Sequence, residues 1–476
     1  MVYDIIIDVV IGVKDLIMEE NVLKRFSAAK FISFAVGFFG LQFAWQMRII
    51  LSGPVTENLG ASPFIFGLIW LAGPFTGMVV QPLIGALSDK TKLAFGRRRP
   101  YLLGGALLSA IALIALPNSE LIVNWLSAHL HLPLPALTAL FFAAVMIWIL
   151  DACVNIAQGP YRALVPDVVP QEQHSLANAY ISLAIGLGSV VAAATAPFLK
   201  WAFHYQMSIP AQFVMAALAF TLGMIWTCIF IKEGVNKGNS AKENDNKKSE
   251  KFDFIQSLKD FFALSPEIGK ICWMQFFTWI GNMCMMIYFT QYAVHTVFGV
   301  PDLSGVTESV KASYDGLVLT GTNFSSICFA IFNLVCFLVA IPIGIVAGKL
   351  GNKKVHIISM LSMAVAFLGM AFTKNPAAVA ALMGLSGIGW ASICALPFAM
   401  LSRYIKPGTE GSVMGIFNIF IAGPQVFVCT LVSWFINKCV FEVQGAGINY
   451  HWEYTFIIGA VCLVAASIIT AKIKEE

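Results

Sequence analysis

Apolar runs of about 18 or more residues recur along the whole chain, and a run that long leaves few folds open. Each is long enough to cross roughly 30 Å of hydrocarbon at about 1.5 Å per residue. Inside a bilayer every N–H and C=O must find a partner within the protein, which restricts spanning structures to helices and closed barrels. The runs here are continuous rather than alternating, so they predict helices. Of the 476 residues 58% are hydrophobic and only 12% are charged; soluble domains carry about 25% charged residues. The expectation is an all-α polytopic membrane protein. Twelve spans are read, at 31–52, 63–86, 100–117, 136–158, 176–199, 211–231, 268–295, 322–347, 355–373, 377–401, 411–437 and 452–472.

Lys and Arg orient the spans. One set of alternate loops holds Lys90, Lys92, Arg97, Arg98 and Arg99, a lysine-rich stretch after span 6, and Lys349, Lys353, Lys354, Arg403 and Lys406. The other set offers only Lys200, Lys311, Lys374 and Lys438. The positive-inside rule then predicts a multi-pass protein of the cell membrane with both termini in the cytoplasm. The first 30 residues mix acids into apolar positions and lack a small-residue cleavage site, so they read as an amphipathic segment on the cytoplasmic surface.

The stretch EGVNKGNSAKENDNKKSEK, Glu233–Lys251, cannot build a core and divides the chain. The expected organisation is a six-helix bundle over 31–231, a cytoplasmic linker over 232–267 and a second six-helix bundle over 268–476. A faint repeat relates the halves. Pro82, Gly85 and Asp89-Lys90 lead from span 2 into GRRRP; Pro342, Gly344 and Gly348-Lys349 lead from span 8 into GNKK. Paired bundles of this kind are the architecture of transporters that rock one half against the other. Asp89 with Arg97, Arg98 and Arg99 are the candidates for conformational gating at the first of these loops.

An acid in the oil marks the candidate site. WILDACVNIAQGPYRALVPD, Trp148–Asp167, places Asp151 inside span 4, where a charged Asp costs at least about 2.5–3.5 kcal/mol. It must face a wet cavity, pair with a cation or be protonated, which makes it a candidate for proton coupling or one end of a static salt bridge. At 100° per residue Asn155, Gln158 and Arg162 fall within about 40° of it, giving one polar stripe. Arg162 lies about 16 Å along the axis if the helix is straight, and Gly159-Pro160 is a point where it could break. Arg162 then either enters the site or anchors the helix end.

Span 1 adds Gln42, Trp45 and Gln46, a mixture of amides and an aromatic face suited to a sugar's hydroxyls and its apolar ring face. Arg48, further along, either snorkels to the outer surface or enters the cavity. Span 7 adds Asn282 and Gln291, with Tyr288 and Tyr292 open to either an interfacial or a ligand role. Span 11 adds Asn418 and Gln425, the latter at a Gly423-Pro424-Gln425 helix break. Ten cysteines, mostly inside apolar runs without a CxxC or Cys/His cluster, read as small hydrophobes. No GxxxxGK[ST], Rossmann GxGxxG or HExxH is present. No cofactor, metal or enzymatic activity is expected, and the energy for transport must come from a gradient.

At these motifs the chain resembles the major facilitator superfamily, and within it the sucrose–proton symporters of plants and their animal and microbial relatives. The resemblance rests on GLQFAW, LIWLAGPFTGMVVQPLIGALSDK, FGRRRPYLL, WILD…N…QGPYRAL, LANA, TW…FTQY…VFG, LPFAM and MGIFNIFIAGPQ. The glycoside–pentoside–hexuronide cation symporters share SDxT…GRRRP but match spans 4 and 11 less well. The resemblance implies that Asp151 accepts the proton and that Arg162 serves sugar binding and coupling. It also implies that Asn418 and Gln425 line the second half of the site. Two departures stand out: Phe289-Thr290-Gln291 replaces an acidic DTD, and Arg48 stands where an uncharged residue is usual.

The reading is a monomeric, proton-coupled importer of a disaccharide such as sucrose or maltose, with the bilayer as its environment and no nucleic-acid partner. A sodium-coupled glycoside symporter, an exporter of another small solute and a non-transporting sugar sensor are the alternatives.

Overall fold

The computed structural model describes residues 25–233, except 94, 132 and 136, and residues 261–474, except 264, 304–307, 405–409 and 444–446. Most of the expected N-terminal amphipathic segment and of the linker lie outside the described residues. Twelve long helices follow one another: α1 (Ala28–Asn58), α2 (Pro63–Lys90), α3 (Arg99–Leu130), α4 (Leu137–Val168), α5 (His174–Phe203), α6 (Ile209–Phe230), α7 (Pro266–Gln291), α8 (Glu308–Leu350), α9 (Asn352–Phe372), α10 (Pro376–Ser402), α11 (Glu410–Lys438) and α12 (Glu453–Ala471). Eleven of these are long and apolar enough to cross a membrane among the described residues; α7 is the exception. Gln275, Thr278, Asn282, Thr290 and Gln291 lower its hydropathy, and every one of them is buried. An even number of crossings leaves both described ends on one side, here called the terminal side, opposite a far side.

Helix starts follow from local chemistry. Ser62, Ser208, Ser265 and Asn375 each accept a backbone N–H of the first turn through the side chain, with proline at the first or second helical position. Two boundaries differ most from the sequence reading. α3 does not stop at 117: a 3-10 turn at Leu116–Asn118 carries Pro117, and the helix resumes over Ser119–Leu130. α8 begins at Glu308 rather than 322 and runs for 43 residues, about 65 Å, so its polar first turns stand clear of the hydrocarbon. A two-stranded hairpin, β1 (Val440–Val443) and β2 (Gly447–Tyr450), joins α11 to α12 on the far side.

Two bundles form, α1–α6 and α7–α12. In the first, α1 packs on α5 and α6. Tyr161 of α4 ties that bundle together: its hydroxyl donates to the Phe34 carbonyl and meets Thr227 Oγ1 at 3.0 Å, and its ring stacks on Phe38 with centroids 3.9 Å apart. Small residues bring the backbones together. A Cβ added to Gly40 would lie 2.3 Å from the Ala219 carbonyl oxygen of α6. In the second bundle Gly281 of α7 and Gly459 of α12 face one another in the same way.

The bundles meet tightly on the far side. The outer part of α2, Pro63–Trp70, packs on the outer part of α11, where a Cβ on Gly67 would lie 1.9 Å from Ser433 Oγ. α1 lies against α7, where a Cβ on Gly53 would lie 2.1 Å from Gln291 Nε2.

These close approaches are testable. Gly40→Val forces α1 away from α6, an overpacking that costs about 1–3 kcal/mol or more. Purified Gly40→Val should therefore unfold at a lower temperature than the parent. Gly85→Ala, whose added Cβ meets nothing within 4 Å, should leave the midpoint unchanged or raise it.

Candidate functional site

Asp151 is fully buried in α4, and its partner is Arg48 of α1, not Arg162. Arg48 Nη2 lies 2.6 Å from Asp151 Oδ2, with side chains 1% and 0% exposed. Two indole rings enclose the guanidinium, its carbon 4.1 Å from the Trp70 ring centroid and 5.5 Å from that of Trp45. Of the two readings open for Arg48, the structure selects entry into the interior. Charge balance at Asp151 thus falls to Arg48. The anticipated break at Gly159-Pro160 does not occur, because α4 is helical through Pro160 to Val168. Arg162 therefore stays about 16 Å along the axis from Asp151, exposed near the terminal-side end.

The α4 stripe continues as a hydrogen-bonded ladder. Asn155 Nδ2 donates to the Asp151 carbonyl at 2.8 Å and to Thr76 Oγ1 of α2 at 3.0 Å. Gln81 Nε2 of α2 donates to Asn155 Oδ1 at 2.5 Å and to Gln158 Oε1 at 3.2 Å. Exposure falls steadily along this face: Arg162 exposed, Gln158 half-buried, Asn155 5% and Asp151 0%. Since all four share one helix face, the gradient describes an interior that is open toward the terminal side and closed toward the far side.

Span 1 contributes as expected in part. Gln42 and Trp45 are half-buried, Gln42 against Gly188 of α5 and Trp45 beside Asp151 at Gly73 of α2, while Gln46 is buried and reaches across to the second bundle. Its Oε1 accepts from Asn333 Nδ2 of α8 at 3.2 Å. On α7, Gln275, Thr278, Trp279 and Asn282 recur at helical spacing, and their side-chain polar atoms have no hydrogen-bond partner among the described residues. Trp279 meets Trp390 of α10 edge-on at 5.8 Å. Gln291 is also buried, but it sits at the far-side contact with Gly53 rather than beside Asp151. Asn418 is exposed on α11 near the terminal side. Gln425 donates to the Ile421 carbonyl of its own helix at 3.1 Å. The helix break foreseen at Gly423-Pro424-Gln425 is displaced: α11 stays α-helical through Phe427 and widens into a π-turn at Val428–Val432.

Sequence reasoning missed Thr76, Gln81 and Asn333. Each is a single polar side chain in an apolar run, the same signal that picked out Asp151 but weaker, because an uncharged amide or hydroxyl is cheaper to bury.

The basic loop forms a second cluster. Arg98 pairs with Asp89 at 2.5 Å and with Asp167 at 3.0 Å, Arg97 pairs with Asp167, and Arg99 donates to the Cys228 carbonyl. Glu233 accepts the backbone N–H groups of Arg97, Arg98 and Arg99 at 2.8–3.0 Å, a carboxylate seated on the N-terminus of α3. Every partner belongs to α2, α3, α4 or the end of α6, so these contacts fasten one bundle internally. The second half has a simpler counterpart, in which Glu267 pairs with Lys270 and Lys353 donates to the Ile473 carbonyl.

A model of the family "MFS/sugar transport protein" matches residues 30–307, and one of the "Major Facilitator Superfamily" matches residues 317–475. Sucrose transport protein SUC4 of Arabidopsis thaliana is 26% identical, over 82% of this chain and 80% of its own. Sucrose transport protein SUT2 of Oryza sativa subsp. indica is 28% identical, over 82% and 83%. The general alpha-glucoside permease of Schizosaccharomyces pombe is 26% identical, over 66% of this chain and 56% of its own. Among solved structures, a D-xylose–proton symporter superposes with a TM-score of 0.62 at 15% identity, covering 94% of this chain and 99% of that one. The nucleoside transporter NupG gives 0.62 at 14% identity, covering 94% and 100%. These likenesses show the fold.

The buried pair makes a sharp stability prediction. Removing one partner strands the other charge, at a cost of about 3–5 kcal/mol, whereas an apolar pair of similar volume is often neutral. Arg48→Met and Asp151→Leu should each lower the thermal midpoint of the purified protein markedly. The double variant should recover most of the loss.

Proposed function

We propose that this chain, which belongs to the MFS/sugar transport proteins of the major facilitator superfamily, is a proton-coupled importer of a disaccharide such as sucrose or maltose. The observation that carries the reading is the buried Arg48–Asp151 pair set between amides and indoles. The likeness to sucrose transport proteins and an alpha-glucoside permease supports the substrate class. The membrane is the cell membrane with the terminal side cytoplasmic, as the lysine and arginine asymmetry supports.

Asp151 is the proton acceptor. Protonated, it no longer neutralises Arg48, whose guanidinium then has its fork of donors available for sugar hydroxyls. Arg48 Nε and Nη1 already lack hydrogen-bond partners among the described residues, as does Asp151 Oδ1. Trp45 and Trp70 supply flat apolar faces for the sugar ring. Gln42, Gln46, Asn155, Gln158 and Asn282 offer amides along the route, Arg162 and Asn418 lie on its terminal-side stretch, and Gln425 lies midway along α11. Gln291 acts where the far side closes. Because proton and sugar act on one guanidinium, each strengthens binding of the other, as linkage requires. The Asp89, Arg97, Arg98 and Arg99 cluster keeps the first bundle rigid while it rocks, which is its part in gating.

Uptake of radiolabelled sucrose and maltose into proteoliposomes, under imposed proton and sodium gradients in turn, tests this. Accumulation should follow the proton gradient and collapse with a protonophore. Asp151→Asn should abolish accumulation while sugar counterflow continues. Sodium-driven uptake that resists the protonophore, or undiminished accumulation in Asp151→Asn, sinks the assignment.

A further inference from the structure

A second ionisable pair crosses from one bundle to the other, away from Asp151. His295 lies in the π-turn Tyr292–Val297 that ends α7, and its Nε2 is 2.5 Å from Glu57 Oε1, one residue before the end of α1. The imidazole is 2% exposed and the carboxylate 16%. Its other nitrogen, Nδ1, lies 2.7 Å from the Val300 carbonyl oxygen. A carbonyl only accepts, so Nδ1 carries a hydrogen and donates it. That assignment leaves Nε2 with a lone pair unless a second proton is present. Nε2 and the Glu57 oxygen are not aligned as a hydrogen bond, yet at 2.5 Å a bare lone pair beside a carboxylate repels, and a second proton on the ring turns that repulsion into attraction between imidazolium and carboxylate.

The surroundings keep this proton in place. Asp302, in the segment after α7, adds a second carboxylate to the field at the imidazole, and the Tyr450 hydroxyl of β2 bonds to Asp302. Trp452 stacks on the ring at 5.9 Å and 24°. Asn449 Nδ2 donates to the Val300 carbonyl and holds the acceptor of Nδ1 in position. His451 and Glu453 at the start of α12 pair with one another at 2.7 Å. Lys311 of α8, a cation on this side, donates to the Asn58 carbonyl at 3.3 Å. The balance of charge next to His295 is therefore acidic.

We propose that His295 and Glu57 form a proton-binding site separate from Asp151, whose loading latches the two bundles together on the far side. Opening the far side parts α1 from α7, exposes both groups to water and lets the proton go. The closed state binds one proton more than the open state at this site, so acid on the far side favours closure. The site sits at the mouth through which the sugar would enter. It concerns the conformational cycle alone and does not depend on which solute is carried.

The test is a distance measurement on the full chain without sugar. Spin labels at Ala128→Cys on the first bundle and Lys374→Cys on the second, with accessible native cysteines replaced by serine, report far-side separation by double electron–electron resonance. Between about pH 8 and about pH 5.5, the range that brackets an ordinary histidine, the short-distance population should rise several-fold. His295→Gln and, independently, Glu57→Gln should abolish that rise. Asp151→Asn, which disables the proposed coupling acid, should retain it. A distribution independent of pH in the parent overturns the latch, as does a pH response that survives in both His295→Gln and Glu57→Gln. Loss of the response in Asp151→Asn instead assigns the titration to Asp151. Failure of sugar uptake in the earlier assay would leave this result untouched.

Discussion

The interior is organised around a carboxylate and a guanidinium that have both left water. Isolated, either ion would be prohibitive at that depth; together, at 2.6 Å and wrapped by Trp45 and Trp70, they are tolerated. The consequence reaches well beyond two side chains. Satisfying Asp151 fixes where α1 lies against α4, and the remaining polar groups of α4 then find their partners on α2. The Thr76, Asn155, Gln81 and Gln158 ladder is thus the extension of one electrostatic demand into a wall. An apolar substitute would often pack about as well, so stability alone does not account for such a wall.

Around that centre the molecule divides into parts that are tied and parts that are only in contact. Within the first bundle, Tyr161 and the arginine–carboxylate cluster bind four or more helices into one body, and glycines let backbones touch. Between bundles the contacts are of another kind: side chains against glycine at Gly53 and Gly67, the Gln46–Asn333 amide contact, and the Glu57–His295 pair. Few hydrogen bonds have to break for these surfaces to separate, which suits two rigid halves moving against each other. The gradient of exposure along α4 places the described conformation at one end of such a motion.

Much of this was legible in the chain. Run length and continuity gave helices in hydrocarbon, and the lone acid in WILDACVN marked the centre. The failures have physical causes. Span 3 read as ending at Pro117 and Pro424 read as a break within span 11, yet a helix flanked by neighbours re-satisfies a lost bond with a 3-10 or π turn and continues. Gly159-Pro160 read as a point where the helix could break, yet the helix is continuous there. The polar opening of α8 read as loop because hydropathy reports the bilayer and not the helix.

By itself the sequence determined that the chain must cross a membrane about twelve times in two related halves, because free energies of burial are set by composition and run length. It also determined that Asp151 must meet water, a cation or a proton, because a bare carboxylate in hydrocarbon cannot stand alone. It did not determine which cation answers. Arg162 shares a helix face with Asp151 but lies too far along it, and Arg48 lies 103 residues away in sequence, so nothing in local spacing pointed to Arg48. A helix holds its own residues at fixed separations, and only the packing of one helix on another brings distant charges to contact. The same reason hid Glu57 and His295, which are unremarkable in the chain and become a site only where the two bundles close.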